Sequence, residues 1–70
     1  MDFEFHRHGS LYTARAVSEI AKEHAAEVYA DATTFGGRYV IESRYVVDNV
    51  TDLLNEGLRV SVDGQEIELR

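Results

Sequence analysis

Thr13-Ala14-Arg15-Ala16-Val17-Ser18-Glu19-Ile20-Ala21-Lys22-Glu23-His24-Ala25-Ala26 is the stretch on which the fold turns. With Val17 at zero and 100° per residue, Ala14, Val17, Ile20, Ala21, His24 and Ala25 fall in one stripe. Ser18, Glu19, Lys22, Glu23 and Glu27 fall opposite it, so the spacing predicts an amphipathic helix over Thr13–Ala26, with Ser10 or Thr13 supplying the N-cap oxygen. His24, in the apolar stripe, reads as a neutral, partly buried structural histidine.

Upstream, Asp2 to His6 alternates with period two: Phe3 and Phe5 point one way, Asp2, Glu4 and His6 the other. Gly9-Ser10 ends that strand. Downstream, Val28 to Phe35 reads as a second strand, with Val28, Ala30 and Ala32 alternating against Tyr29, Asp31 and Thr33. Gly36-Gly37 is a hairpin signal, since both positions accept positive φ, and Arg38 to Glu42 returns as a third strand. Ser43 then reads as an N-cap. The helix it opens runs to about Asn55 on a stripe of Val46, Val47, Val50, Leu53 and Leu54, with Gly57 as its C-terminal stop. Leu58, Val60 and Val62 alternate in a fourth strand. Asp63-Gly64 turns into a short last strand over Gln65–Leu69. The predicted order is β-α-β-β-α-β, an α+β open-faced sandwich with two helices on one face of a mostly antiparallel sheet.

Seventy residues make one small domain, spanning 1–70, and a chain of this size buries only about 60% of its unfolded surface. With no cysteine, packing or a partner subunit must hold it, and a reducing cytosol suits it. The N-terminal segment lacks a basic stretch followed by an apolar one. No run approaches membrane-spanning length, which predicts a cytoplasmic protein that does not enter membranes. The net charge of −6 opposes binding to nucleic acid or anionic lipid.

The segment Leu11-Tyr12-Thr13-Ala14-Arg15-Ala16-Val17 and the interval from it to Glu42-Ser43-Arg44-Tyr45-Val46 resemble the HPr-like phosphocarrier proteins of the bacterial sugar phosphotransferase system. Those proteins read Gly-Leu-His-Ala/Thr-Arg-Pro-Ala before their first helix and carry a regulatory serine at the start of the second. Arg15 matches the motif arginine, and Ser43 the regulatory serine. Thr13 stands where the phosphoryl-accepting histidine belongs and Ala16 where the proline belongs. The family's third helix has no sequence to form it. The resemblance implies an HPr-like fold and a non-enzymatic protein of sugar-transport regulation, either a phospho-regulated interaction module or a degenerate phosphocarrier. It also implies a protein partner docking near Tyr12, Arg15, Arg44 and Tyr45. The alternative is a small homodimeric regulatory domain of ferredoxin-like topology that associates through a bare sheet face or edge.

The candidate anion-binding or phospho-acceptor residues are Thr13, Arg15, Ser43 and His8. Thr13 and Arg15 at a helix N-terminus would suit an anion through free N–H groups and a guanidinium, or serve merely as a cap and a solvated cation. Ser43 is a phosphorylation site or a cap. His8 could swing over Thr13 as a displaced acceptor. His6 and His8, two apart on a strand, form half a metal site at most, with no third ligand visible. No paired buried carboxylates, nucleophile–base pair or glycine-rich phosphate loop is recognisable, so neither an enzyme nor a cofactor is expected.

Overall fold

The computed structural model describes residues 1–68; the end of the predicted last strand, Leu69, lies outside the described residues. Strands β1 (Phe3–His8) and β2 (Leu11–Ala16) lead into helix α1 (Glu19–Val28). Strands β3 (Thr34–Phe35) and β4 (Arg38–Glu42) precede helix α2 (Ser43–Asn55), and β5 (Val60–Val62) and β6 (Gln65–Ile67) follow it. The sheet order is β3-β4-β2-β1-β5-β6, with β1 and β5 parallel and every other pair antiparallel. The protein is therefore an α+β domain of two helices and a six-stranded mixed sheet, compatible with a sandwich. Its order is β-β-α-β-β-α-β-β: β6 falls on the expected short last strand, and β2 is the one strand added to the predicted elements.

That addition corrects the reading of Thr13–Ala26. Thr13 to Ala16 belong to a strand, and the helix starts at Glu19. Tyr12, Ala14 and Ala16 also satisfy a period of two, and Gly9 (φ 62°) occupies the first central position of a two-residue turn. That turn folds β2 onto β1 from His8↔Leu11 to Phe3↔Ala16, a long ladder that helix propensity does not overcome. Ser18 is the cap. Its Oγ accepts from the Ala21 N–H at 3.0 Å and donates to Asp2 Oδ1 at 2.6 Å. Asp2 Oδ2 also accepts from the Arg59 N–H at 2.7 Å. These bonds, the Arg59 amide foremost and the Ser18 hydroxyl next, hold the Asp2 carboxyl below its ordinary pKa. One carboxylate thus ties the start of β1 to the α1 cap and to the approach to β5.

The second correction concerns Val28–Phe35, of which only Thr34–Phe35 is strand. Val28 ends α1, and Tyr29 is required in the core. Its ring stacks on Tyr39 with centroids 5.0 Å apart and meets Phe3 edge-on at 6.4 Å. The Tyr29 hydroxyl donates to Asn49 Oδ1 at 2.8 Å. The predicted alternation had Val28 and Ala30 facing together against Tyr29; instead Tyr29 is buried and both neighbours are exposed.

Helix α2 agrees with its predicted span, but Ser43 is its first helical residue. Glu42 is the cap and makes no side-chain capping bond. At the other end Glu56 is the C-cap and Gly57 (φ 83°) lies just beyond it. Gly57 N–H donates to the Leu54 carbonyl and Leu58 N–H to the Leu53 carbonyl, a Schellman pair that carries Leu58 into the core. The turns Gly36-Gly37 and Asp63-Gly64 form as expected, all four residues at positive φ.

The core lies between the helices and one sheet face: Phe3, Phe5, Ala14, Ile41 and Val60 from strands, Ala21, Ala25, Val46, Val50 and Leu53 from helices. His24 is half-buried beside Phe3, in line with a structural role. Ile20 and Val47, expected in the helical stripes, are 67% and 74% exposed. The buried surface of each helix is narrower than its apolar stripe: Ala21 and Ala25 on α1, and Val46, Val50 and Leu53 on α2.

Candidate functional site

Alternation along the strands divides the sheet. Residues at Phe3, Phe5, Ala14, Tyr39 and Ile41 face the helices, and the intervening ones face away. In register, His6 lies opposite Thr13 and Thr13 opposite Val40, while His8 lies opposite Leu11 and Leu11 opposite Glu42. Arg38 pairs with Phe35 at the β3–β4 turn. Among the described residues no helix covers this side.

Near its β3 edge the open face forms a cavity of about 500 Å³, walled by His8, Leu11, Thr13, Phe35, Arg38 and Val40 and bordered by Thr33, Thr34 and Gly36. Such a volume is within the range of small-molecule sites, which are mostly apolar with a few fixed polar groups. Two polar groups are unusual. Thr13 is 92% buried, being 8% exposed, and its Oγ1 has no hydrogen-bond partner. Arg38 is half-buried and, among the described residues, is the one Lys or Arg with neither an ion pair nor a side-chain hydrogen bond. Phe35 is 77% exposed at the rim.

Of the residues predicted for a site, Thr13 and His8 come together on this cavity, but the anion geometry expected for Thr13 is absent. It sits in mid-strand, five residues before α1's cap, with its hydroxyl enclosed. Arg15, on the same face, pairs with Glu4 at 3.7 Å. Ser43 and Arg44 line a separate shallow depression with Ser10, Leu11 and Glu42, and Arg44 Nε contacts Glu42 Oε2 at 2.9 Å. Tyr12 shares the helix-covered face with Ile41, so it does not join Arg15 in one docking patch. Tyr45 is exposed as predicted, with the Arg44 guanidinium 4.8 Å from its ring centroid. Among the described residues no group of three or more His, Cys, Asp or Glu side chains is placed to hold a metal, and His6 and His8 gain no third ligand.

Sequence reasoning missed Leu11, Phe35, Arg38 and Val40. The alternation of Arg38-Tyr39-Val40-Ile41-Glu42 carried the signal that Arg38 and Val40 share a face. Their proximity to Thr13 depends on β2 being a strand.

A second groove, between the helices, is lined by His24, Val28, Tyr29, Asn49, Asp52 and Glu56 among others. Two of its polar groups are engaged with each other: the Tyr29 hydroxyl donates to Asn49, and Asn49 Nδ2 donates to the Tyr45 carbonyl at 2.7 Å. Burial, with the Asp52 charge, pushes the Tyr29 phenol up to about 12.

No family model matches this chain, and no curated protein or solved structure matches it either. Among the described residues no helix is long and apolar enough to cross a membrane.

Proposed function

We propose that this chain is a non-enzymatic binding domain whose working surface is the uncovered sheet face. The carrying observation is the cavity under the β3–β4 turn, where an enclosed, unpartnered Thr13 hydroxyl, an unpaired Arg38 and the exposed Phe35 ring surround an apolar floor. A group buried without a partner costs about 1–3 kcal/mol, a cost that a ligand's acceptor would offset. The interaction-module role implied by the phosphocarrier resemblance is compatible with this surface. Group transfer at Thr13 lacks support, since the hydroxyl is enclosed and no helix N-terminus adjoins it. Regulation at Ser43 belongs to the same proposal, because Ser43 is exposed where α2 lacks a side-chain cap.

The test uses a neutral apolar dye, Nile red. Wild-type protein is expected to enhance its fluorescence, and Val40→Glu to abolish the enhancement while far-UV circular dichroism and the melting temperature stay near wild type. Enhancement that survives Val40→Glu would contradict the reading.

A second reading, homodimerisation through the same face, is favoured by Phe35 and Leu11, both exposed on it. Light scattering at increasing concentration decides it: a dimer dispersed by Phe35→Ser supports it, and a strict monomer removes it.

A further inference from the structure

We propose that the open-face cavity takes an amphipathic monocarboxylate, with its apolar tail on Leu11, Val40 and Phe35 and its carboxylate on Arg38, aided by Thr13. The inference rests on the open face being the binding surface and adds the ligand's chemical class.

The apolar part follows from the walls. Leu11, Val40 and the Phe35 ring offer a surface that an alkyl or aryl group would remove from water. The charge follows from the cations. In a chain of net charge −6, every other described Lys or Arg is engaged: Arg15 with Glu4, Lys22 with Glu19, Arg44 with Glu42, Arg59 with Glu66, and Arg7 with the Gly9 carbonyl. Arg38 alone stands free, half-buried in an apolar wall. A guanidinium there is only partly hydrated and presents a planar fork that fits a carboxylate with two parallel N–H···O bonds. The acids on this face do not compete, since Glu4 and Glu42 already have arginine partners.

Thr13 supplies the second, independent mark. Val40 lies directly opposite it, and Arg38 is two residues along β4 from Val40, roughly 7 Å at strand spacing. One staggered step about χ1 carries the Thr13 hydroxyl into the place its methyl holds, the methyl moving to that of the hydrogen. The unpartnered hydroxyl can thereby turn into the cavity and donate to an acceptor oxygen. His8, on the same wall, adds a ring N–H donor at the mouth. The interhelical groove has the opposite character, carrying the acids Asp52 and Glu56, which would repel a carboxylate.

The experiment is calorimetric titration of the full chain with decanoate and, separately, with decanol, on wild type, Arg38→Gln, Arg38→Lys and Thr13→Val. Binding sites are mapped by amide shifts. The expected result is decanoate binding that perturbs Leu11, Thr13 and Val40, weakens about tenfold in Arg38→Gln and recovers in part in Arg38→Lys. Decanol should bind wild type and Arg38→Gln alike. Thr13→Val should weaken decanoate by a few-fold. Decanoate affinity unchanged by Arg38→Gln would overturn the proposal, while Nile red enhancement sensitive to Val40→Glu would keep the open face as a binding surface. Failure of both titrations, with dye fluorescence indifferent to Val40→Glu, would overturn the proposal and the reading beneath it together.

Discussion

The helix-covered face and the open face of this sheet are built from alternate residues of the same strands, yet they are assembled by different rules. On the covered side Ala14 meets no solvent and belongs to a continuous apolar cluster with Phe3, Phe5, Val60 and Leu53. One residue earlier, Thr13 is almost as buried, but its hydroxyl has no partner. Burial on the covered face is resolved by packing. Burial on the open face leaves the Thr13 hydroxyl without a partner and, among the described residues, the Arg38 guanidinium without an ion pair. A single peptide unit along β2 thus separates a packed core residue from the face proposed to bind a ligand.

The comparison breaks most sharply if the two faces respond alike to truncation. Phe5→Ala on the covered side should cost about 3–5 kcal/mol, enough to unfold much of a domain whose total is roughly 5 kcal/mol. Val40→Glu on the open side should change stability by less than about 1 kcal/mol. Urea denaturation of both variants measures the contrast, and equal losses would mean that the open face is also core.

The covered face was the more legible of the two. Phe3, Phe5, Val50, Leu53 and Val60 announced themselves by period, as did the turns Gly36-Gly37 and Asp63-Gly64. The open face was hidden by one ambiguity. Thr13-Ala14-Arg15-Ala16 fits a helical stripe when counted from Val17 and a strand when counted from Gly9, and small alanines satisfy both. The long-range ladder to β1 decided it, a contribution that local spacing does not contain. A helical reading of β2 turns Thr13 into a cap and leaves Arg38 with no neighbour across the sheet. Tyr29 was lost for the related reason that its burial depends on Tyr39 and Asn49, both distant in sequence.

The link between the covered layer and the strand ends runs through Asp2. Ser18→Ala should cost about 1 kcal/mol by removing the α1 cap. Because the folded Asp2 carboxyl titrates below its ordinary 3.8, its contribution is present above that value and is lost as pH falls through the lower folded value. Asp2→Asn should therefore reduce stability at pH 7 and flatten this part of the acid limb, seen by circular dichroism melts from pH 7 to pH 2.

Tyr29 predicts the opposite limb. Its folded value of about 12 lies above the ordinary 10.0, so its contribution is complete below about pH 10 and fades between there and about 12. Tyr29→Phe should remove that alkaline loss at a cost of about 1 kcal/mol for the Asn49 hydrogen bond. A spectrophotometric phenol titration locates the step.

The smallest effect belongs to the edge of the open face. Ser43→Asp places a carboxylate in the first turn of α2, where Glu42 makes no side-chain cap. It should raise stability by about 0.5 kcal/mol at low salt, an increment that fades as salt is added.

Thr13→Val tests the account most directly, read as a thermal melt of the unliganded protein. The hydroxyl enclosed in β2 without a partner predicts an unchanged or higher melting temperature, since valine keeps the shape and removes the orphan group. A fall of several degrees would mean that the hydroxyl is holding the fold, as a helix cap at Thr13 would, and would contradict both the strand assignment and the site built on it.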